Sequence, residues 1–175
     1  VPVMMVGHVS AAQLAAAELG NLYFAWLGLL AWGTLMSLDP LVAQAHGAGD
    51  REGVARAVQR GVVLAAGLTV MTVPFFLPAR PVLELLGQPA DVVPAAARYV
   101  LVSAPGLLPF LCFLVLRQSL QAMGRMRAIV LAILAANLLN VAVGWVFVFG
   151  KLGCPPLGAV GAALAVTTSR SALAL

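Results

Sequence analysis

"NLYFAWLGLLAWGTLMSLDPLVAQAHGAGDRE" occupies residues 21–52, and its reading decides the fold. No charge appears from Leu19 to Leu38, a run of 20 residues. Asp39 and Pro40 end it, and a glycine-rich string leads on to Asp50. A helix rises about 1.5 Å per residue and the hydrocarbon core of a bilayer is about 30 Å thick, so such a run crosses once. Pro40 cannot donate to the carbonyl of Met36, which predicts that the helix bends or restarts there. Asp39 has two readings. Just before a proline it is a good N-cap followed by a favoured first helical residue. As a carboxylate near the membrane edge, it is instead a candidate to bind a cation or a proton. A phosphate loop needs a preceding strand and usually a lysine and a hydroxyl. The string from His46 to Asp50 has none of these, so Gly47 and Gly49 read as a tight reversal between two spans.

Working outward, the whole chain supports a membrane setting. Of its 175 residues, 62% are hydrophobic and 9% are charged, against about 25% charged in a soluble domain. Too few charges remain to cover a soluble surface. The chain starts at Val1 and stops inside an apolar run, which suggests a piece of a longer protein. No signal-peptide layout is visible. Cys112 and Cys154 match no metal or redox spacing, and Cys112 reads as a packing residue within a span. No patch mixes basic residues with stacking aromatics, so nucleic acid is excluded as a partner. An intramembrane enzyme would need paired carboxylates, a Ser/His pair or a metal cluster at depth. His8 and His46 stand at span ends with no partner at ligand spacing, so no catalytic, cofactor or metal residue is assigned.

Charges divide the chain into uncharged runs at 19–38, 61–79, 99–116, 128–150 and 152–169. Each is long enough to cross once, and residues 1–17 read as the tail of an earlier span. Arg51, Arg56, Arg60, Arg117, Arg125, Arg127 and Arg170 fall on one side, and Arg80, Arg98 and Lys151 on the other. The side richer in basic residues is cytoplasmic. The glycine string therefore faces inward, and the turn at 150–158 faces outward. Asp50 can cap the helix after it, and Glu52–Arg56 is a favourable i, i+4 pair. A short interfacial helix is expected over 82–86, stopped by Gly87 and Pro89, with Asp91 capping the next. Pro105 and Pro109 predict a kink in the 99–116 span. Gly28, Gly33, Gly61 and Gly67 allow close helix contact. "QAHG" at 44–47 and "QAMG" at 121–124 look like one device, a helix end with a glycine stop.

Those segments, in this order and spacing, resemble the multidrug and toxic compound extrusion (MATE) family. The likeness is carried by "LDPLVAQAHGAGD", "RAVQRG", "LRQSLQAMGR", "LLNVAVGWVFVFG" and "PPLGAVGAALA" and covers nearly the whole chain. It implies an all-α membrane protein, most of one six-helix lobe of a twelve-span carrier. On that implication residues 1–17 end the first helix and form an outer loop. The following helices are placed at 19–45, 53–79, 92–122, 126–149 and 157–175, the last cut short. The resemblance implies an antiporter in the cytoplasmic membrane, exporting drugs or small organic cations by alternating access in exchange for H⁺ or Na⁺. No other cofactor is implied. The partners would be the missing carboxy-terminal lobe and the lipid bilayer.

Asp39, Gln44, Gly47 and Gly49 then become candidates for the inner gate, with Asp39 pairing with an arginine or capping the bent helix. Pro109, Asn137, Asn140 and Thr167 are candidates for the kinked helix and the cavity. Several positions depart from the family pattern. Pro2 stands where many members place an acid, Gly144 stands four residues after Asn140, and Val166 precedes Thr167 where a threonine is frequent. Cation binding within this lobe is therefore in question. Asn140 reads either as an interhelical hydrogen bond, which Asn137 would serve equally, or as a cavity residue. Tyr99 and Arg98 are expected at the outer interface. Trp26, Trp32 and Trp145 could stack on a flat cation or face lipid. Two alternatives stay open: a lipid or polysaccharide flippase of the same superfamily, and a truncated half-carrier without function. The span interiors hold almost no basic residues, against the large basic cavity a flippase would favour.

Overall fold

The computed structural model describes residues 10–149 and 158–173. Pro2, His8, Lys151, Cys154 and most of the turn expected at 150–158 lie outside the described residues. Within them the chain is helical, and four stretches are long and apolar enough to cross a membrane: Ala11–Gly47, Arg51–Phe76, Val93–Ala122 and Met126–Val148. The protein is a multi-pass membrane chain.

Helix α1 spans Ala11–Leu35. Its opening, "AAQLAAAELG", consists mostly of strong helix formers. It therefore begins before residue 19 and absorbs 11–17, which the charge pattern assigned to an earlier span and the family resemblance to that span's end and an outer loop. Glu18 marked that boundary in the sequence, yet it sits exposed on the helix. The bend falls where Pro40 requires it, at residues 36–37. The Asp39 N–H donates to the Met36 carbonyl (3.3 Å), and Ser37 N–H to Thr34 (3.3 Å), a local tightening to i→i−3 geometry. Helix α2 then runs Leu38–Gly47. Asp39 lies inside its first turn, and Ser37 holds the N-cap position. The expectation that Asp39 caps this helix is not met.

Two inner turns share one design. After α2, Asp50 N–H donates to Ala45 (2.9 Å) and Gly49 N–H to His46 (3.0 Å), with Gly49 at φ 71°. After α6, Arg125 N–H donates to Leu120 (2.8 Å) and Gly124 N–H to Gln121 (2.9 Å), with Gly124 at φ 70°. A left-handed residue closing the last carbonyls is the reason for glycine at both sites. The matching residue is Gly49, not Gly47, which is the last residue of α2. Helix α3, Arg51–Thr72, is capped by Asp50, whose Oδ1 accepts from Gly53 N–H at 2.8 Å. Arg56 lies 3.5 Å from both Asp50 and Glu52.

A 3-10 turn over Val73–Phe76 leads to helix α4, Ala79–Leu85, which starts earlier than the expected 82 and carries an Arg80–Glu84 pair at 2.9 Å. Helix α5 is Val93–Ser103, and its N-cap position is Val92. Asp91 therefore does not cap it. Pro105 sits in a 3-10 break over Ala104–Gly106, and helix α6 follows as Leu107–Ala122 with Pro109 in its first turn. Helix α7 is Met126–Phe149, and helix α8 is described from Gly158 to Leu173.

Two apolar clusters hold the bundle. One joins α1, α2 and α6 through Phe24, Leu35, Leu38, Leu111 and Val115. The other joins α1, α5, α7 and α8 through Ala17, Tyr99, Val148, Ala159 and Ala162. Tyr99 is 1% exposed, so it is a core residue and not an interface anchor. It covers Gly20, where a Cβ would meet its ring at 2.6 Å. Of the four glycines expected at close contacts, only Gly61 has one, against Leu38 and Val115 at 2.9 Å. The tightest approach of two backbones is at Gly161, where a Cβ would lie 2.6 Å from the Phe147 carbonyl oxygen. Trp26, Trp32 and Trp145 are exposed on outward faces with Leu30, Val63 and Met71, an apolar surface suited to lipid.

Gly161→Ala should lower stability by about 1–3 kcal/mol, because backbone cannot move aside as a flexible side chain can. Gly49→Ala should cost about 1–2 kcal/mol at its left-handed position. Gly47→Ala, in a helix with open space around it, should be neutral or stabilising. Thermal unfolding of the purified protein in detergent ranks the three.

Candidate functional site

A pocket of about 210 Å³ lies between α6, α7 and α8. Phe110, Phe113, Asn137, Asn140 and Arg170 line it. The elements place them by simple geometry. Asn137 and Asn140 are three apart near the middle of α7, so they share a face. Pro105 and the break it forces re-aim the helix just before Phe110.

Arg170 is the main correction to the charge reading, which placed it in an inner connector. It lies in α8, twelve residues past Gly158, or about 18 Å along the helix. Its guanidinium carbon stands 4.0 Å from the centroid of the Phe24 ring and 5.1 Å from that of Phe110. Those two rings meet edge to face at 6.1 Å, and Phe24 does the same with Phe76 at 5.5 Å. The claim that span interiors hold almost no basic residues therefore fails at this position. The topology stands without it, because six basic residues still face three. Pro155 and Pro156 were the available signal. A helix that can begin only after them reaches residue 170 well before it has crossed.

The two asparagines divide their roles. Asn140 Nδ2 donates across to the Ala165 carbonyl of α8 at 3.5 Å, whereas Asn137 Nδ2 donates to Ile133 of its own helix at 2.9 Å. Thr167 is outside the pocket. Its Oγ1 donates to the Val102 carbonyl at 3.3 Å and packs on Gly106, tying α8 to the α5–α6 break. Pro109 is half-buried near that break and does not line the pocket.

The inner candidates lie elsewhere. A second hollow of about 470 Å³ is lined by His46, Gly49, Asp50, Val54, Met123 and Arg125, so it joins the two glycine turns. Gln44 and Gly47 are exposed and outside it. Asp39 forms no ion pair with any arginine among the described residues, although one was expected. Its Oδ1 is buried and has no hydrogen-bond partner there. The Gln118 Oε1 and the Ser103 Oγ are in the same condition.

A bundle with four helices long and apolar enough to cross a membrane, packing an arginine against the aromatic rings of two other helices, is a polytopic membrane protein. The MatE family model matches residues 1–146, and the chain belongs to that family. It is 36% identical over 163 residues to a probable multidrug resistance protein NorM of Rhizobium meliloti (strain 1021), covering 93% of this chain and 35% of that protein. It is 32% identical over 167 residues to the multidrug resistance protein NorM of Vibrio parahaemolyticus serotype O3:K6 (strain RIMD 2210633), covering 95% of this chain and 37% of the relative. The eukaryotic MATE transporter AtDTX14 shares the fold with a TM-score of 0.87 at 23% identity, over 97% of this chain and 37% of that one. The chain thus spans about a third of the length of these relatives.

Phe24 holds the centre of the aromatic cluster and is 3% exposed. Phe24→Ala should cost about 3–5 kcal/mol and release Arg170, which a drop in melting temperature of the purified protein would register.

Proposed function

We propose that this chain is the amino-terminal lobe of a secondary carrier that exports drugs and other organic molecules across the cytoplasmic membrane. The observation that carries this reading is the membership of the MatE family, together with a pocket that phenylalanines, asparagines and an arginine line between α6, α7 and α8. The carboxy-terminal lobe is the partner that completes the cavity. Export runs in exchange for H⁺ or Na⁺, by alternating access. The protein acts as a carrier and catalyses no covalent step.

Within that cycle the inner end of the lobe works as a gate. The break at residues 36–37 lets α2 swing on α1. The rigid Gly49 and Gly124 turns carry the two inner helix ends as solid corners. Asp39 holds a buried acceptor without a donor, so it takes a partner in one state of the cycle: a proton, a cation, or a donor from the other lobe. Gln44 and Gly47 lie on the same short helix and move with it.

Cells lacking their own exporters are the test system, expressing the reading frame that contains this chain. They should accumulate less rhodamine 123 or fluorescein than control cells, and collapsing the proton or sodium gradient should restore accumulation. Accumulation of both dyes at the control level would end the carrier reading. Asp39→Asn should slow export about fivefold or more, the loss of one buried charged partner. Full export at matched expression would remove Asp39 from the gate.

A further inference from the structure

Resting on the carrier reading above, we propose that the pocket between α6, α7 and α8 is a subsite for the planar anionic end of an aromatic substrate. An aryl carboxylate fits it best, with Arg170 as the charge partner. To the expected drugs and organic cations this adds a molecule that presents a carboxylate to this lobe.

Four observations converge. First, Arg170 pairs with no carboxylate among the described residues. All six acidic side chains of the chain lie among the described residues, and the ion pairs there join Arg56 to Asp50 and Glu52, and Arg80 to Glu84. Second, Arg170 donates no hydrogen bond to a described residue, while the other polar side chains of α8 do: Thr167, Thr168, Ser169 and Ser171 each bond a carbonyl. Phe24 and Phe110 hold the guanidinium, but an aromatic ring does not take up five N–H donors. A planar oxyanion does, through two parallel bonds.

Third, the pocket that Arg170 lines has the other groups such a ligand needs. Phe110 and Phe113 offer ring surface, and Asn137 and Asn140 bring side-chain amides to its wall. At about 210 Å³ it accepts one ring with its acid group and not a whole drug, which marks it as a subsite of a larger cavity. Fourth, the polarity of the lobe is opposite to that of a cation site. Gly144 and Val166 supply no carboxylate or hydroxyl, and Thr167 is turned away to Val102. A cation brought into this pocket would meet Arg170 and be repelled. The ionisable side chain within electrostatic reach of Arg170 is the Tyr99 phenol, which is neutral as a phenol and offers no counter-charge.

Two dyes on one scaffold test the inference. Fluorescein presents a free benzoate. Rhodamine 123 has the same ring system with that acid esterified and a positive charge. Both are titrated by fluorescence anisotropy against the purified full-length protein, and both are followed in everted vesicles. Fluorescein should bind, and Arg170→Gln should weaken it by about tenfold or more, while rhodamine 123 should bind no more weakly than to the wild type. Arg170→Lys keeps the charge without the fork and should fall between. Should Arg170→Gln fail to fold, Asn137→Asp leaves the arginine stacked and places a carboxylate in its pocket. It should weaken fluorescein by about tenfold and tighten rhodamine 123, the cation gaining a carboxylate. Fluorescein affinity at the wild-type level in a folded variant overturns the subsite, as does an equal loss of both dyes. Rhodamine 123 transport by a wild-type protein that does not bind fluorescein overturns the subsite and leaves the carrier reading intact. Transport of neither dye overturns both.

Discussion

In hydrocarbon every backbone carbonyl must find a donor within the protein, and this chain places prolines inside its crossing helices. The structure depends on how that conflict is resolved. Pro40 removes the donor that Met36 would have used, and the Asp39 N–H takes its place from one residue nearer. Pro105 removes the donor for Leu101, and the Ala104 N–H supplies it, shared with Val100. Both repairs shorten the hydrogen-bond spacing, so both leave a bend without an orphaned carbonyl at those residues. The two bends define the lobe. One sends α2 toward the inner surface below α1. The other re-aims α6 so that Phe110 reaches Phe24 and Arg170.

The parts legible in the sequence were those governed by local rules. Asp50 before an Arg-Glu-Gly start is a cap because the bond closes within four residues. Glu52 and Arg56 pair because a helix sets them on one face. Pro40 and Pro105 bend their helices because the lost donor is a matter of covalent structure. The inner side was legible because six arginines crowd the connectors, and the bilayer reads their sum. What depended on depth and on neighbours was not legible. Charges were used as boundary marks, so Glu18 cut α1 short although a carboxylate is tolerated on the exposed face near a helix end. Arg170 was moved into a connector for the same reason. No one-dimensional pattern reveals that two phenyl rings from α1 and α6 wait for it.

The small residues tell a related story. Gly28, Gly33 and Gly67 looked like contact points and have open space, while Gly20, Gly61 and Gly161 carry close approaches. A glycine marks where a neighbour is permitted, and only the fold decides whether one arrives. Tyr99 shows the converse. An aromatic near a span end is usually an anchor at the headgroups, yet here Gly20 opens a notch that the ring fills, and the residue becomes the largest fully buried side chain of the lobe. The candidate site has the same character. Its residues come from three helices and more than sixty positions of sequence, and they have no shared motif to betray them.

The reach of α8 bears on how such a lobe is made. Helices α7 and α8 pack on each other, with Gly161 against the Phe147 backbone, and so can form as a local hairpin. Yet α8 also closes contacts with α1, far away in sequence: Ala159 N–H donates to Gln13 at 3.0 Å, and Arg170 settles on Phe24. During synthesis the first helices must therefore stand in the membrane with one flank unfilled until α8 has left the ribosome. An arginine entering hydrocarbon on an isolated helix is opposed by about 2.5–3.5 kcal/mol. The aromatic berth formed by α1 and α6 offsets that opposition only once those two helices are in place to receive α8.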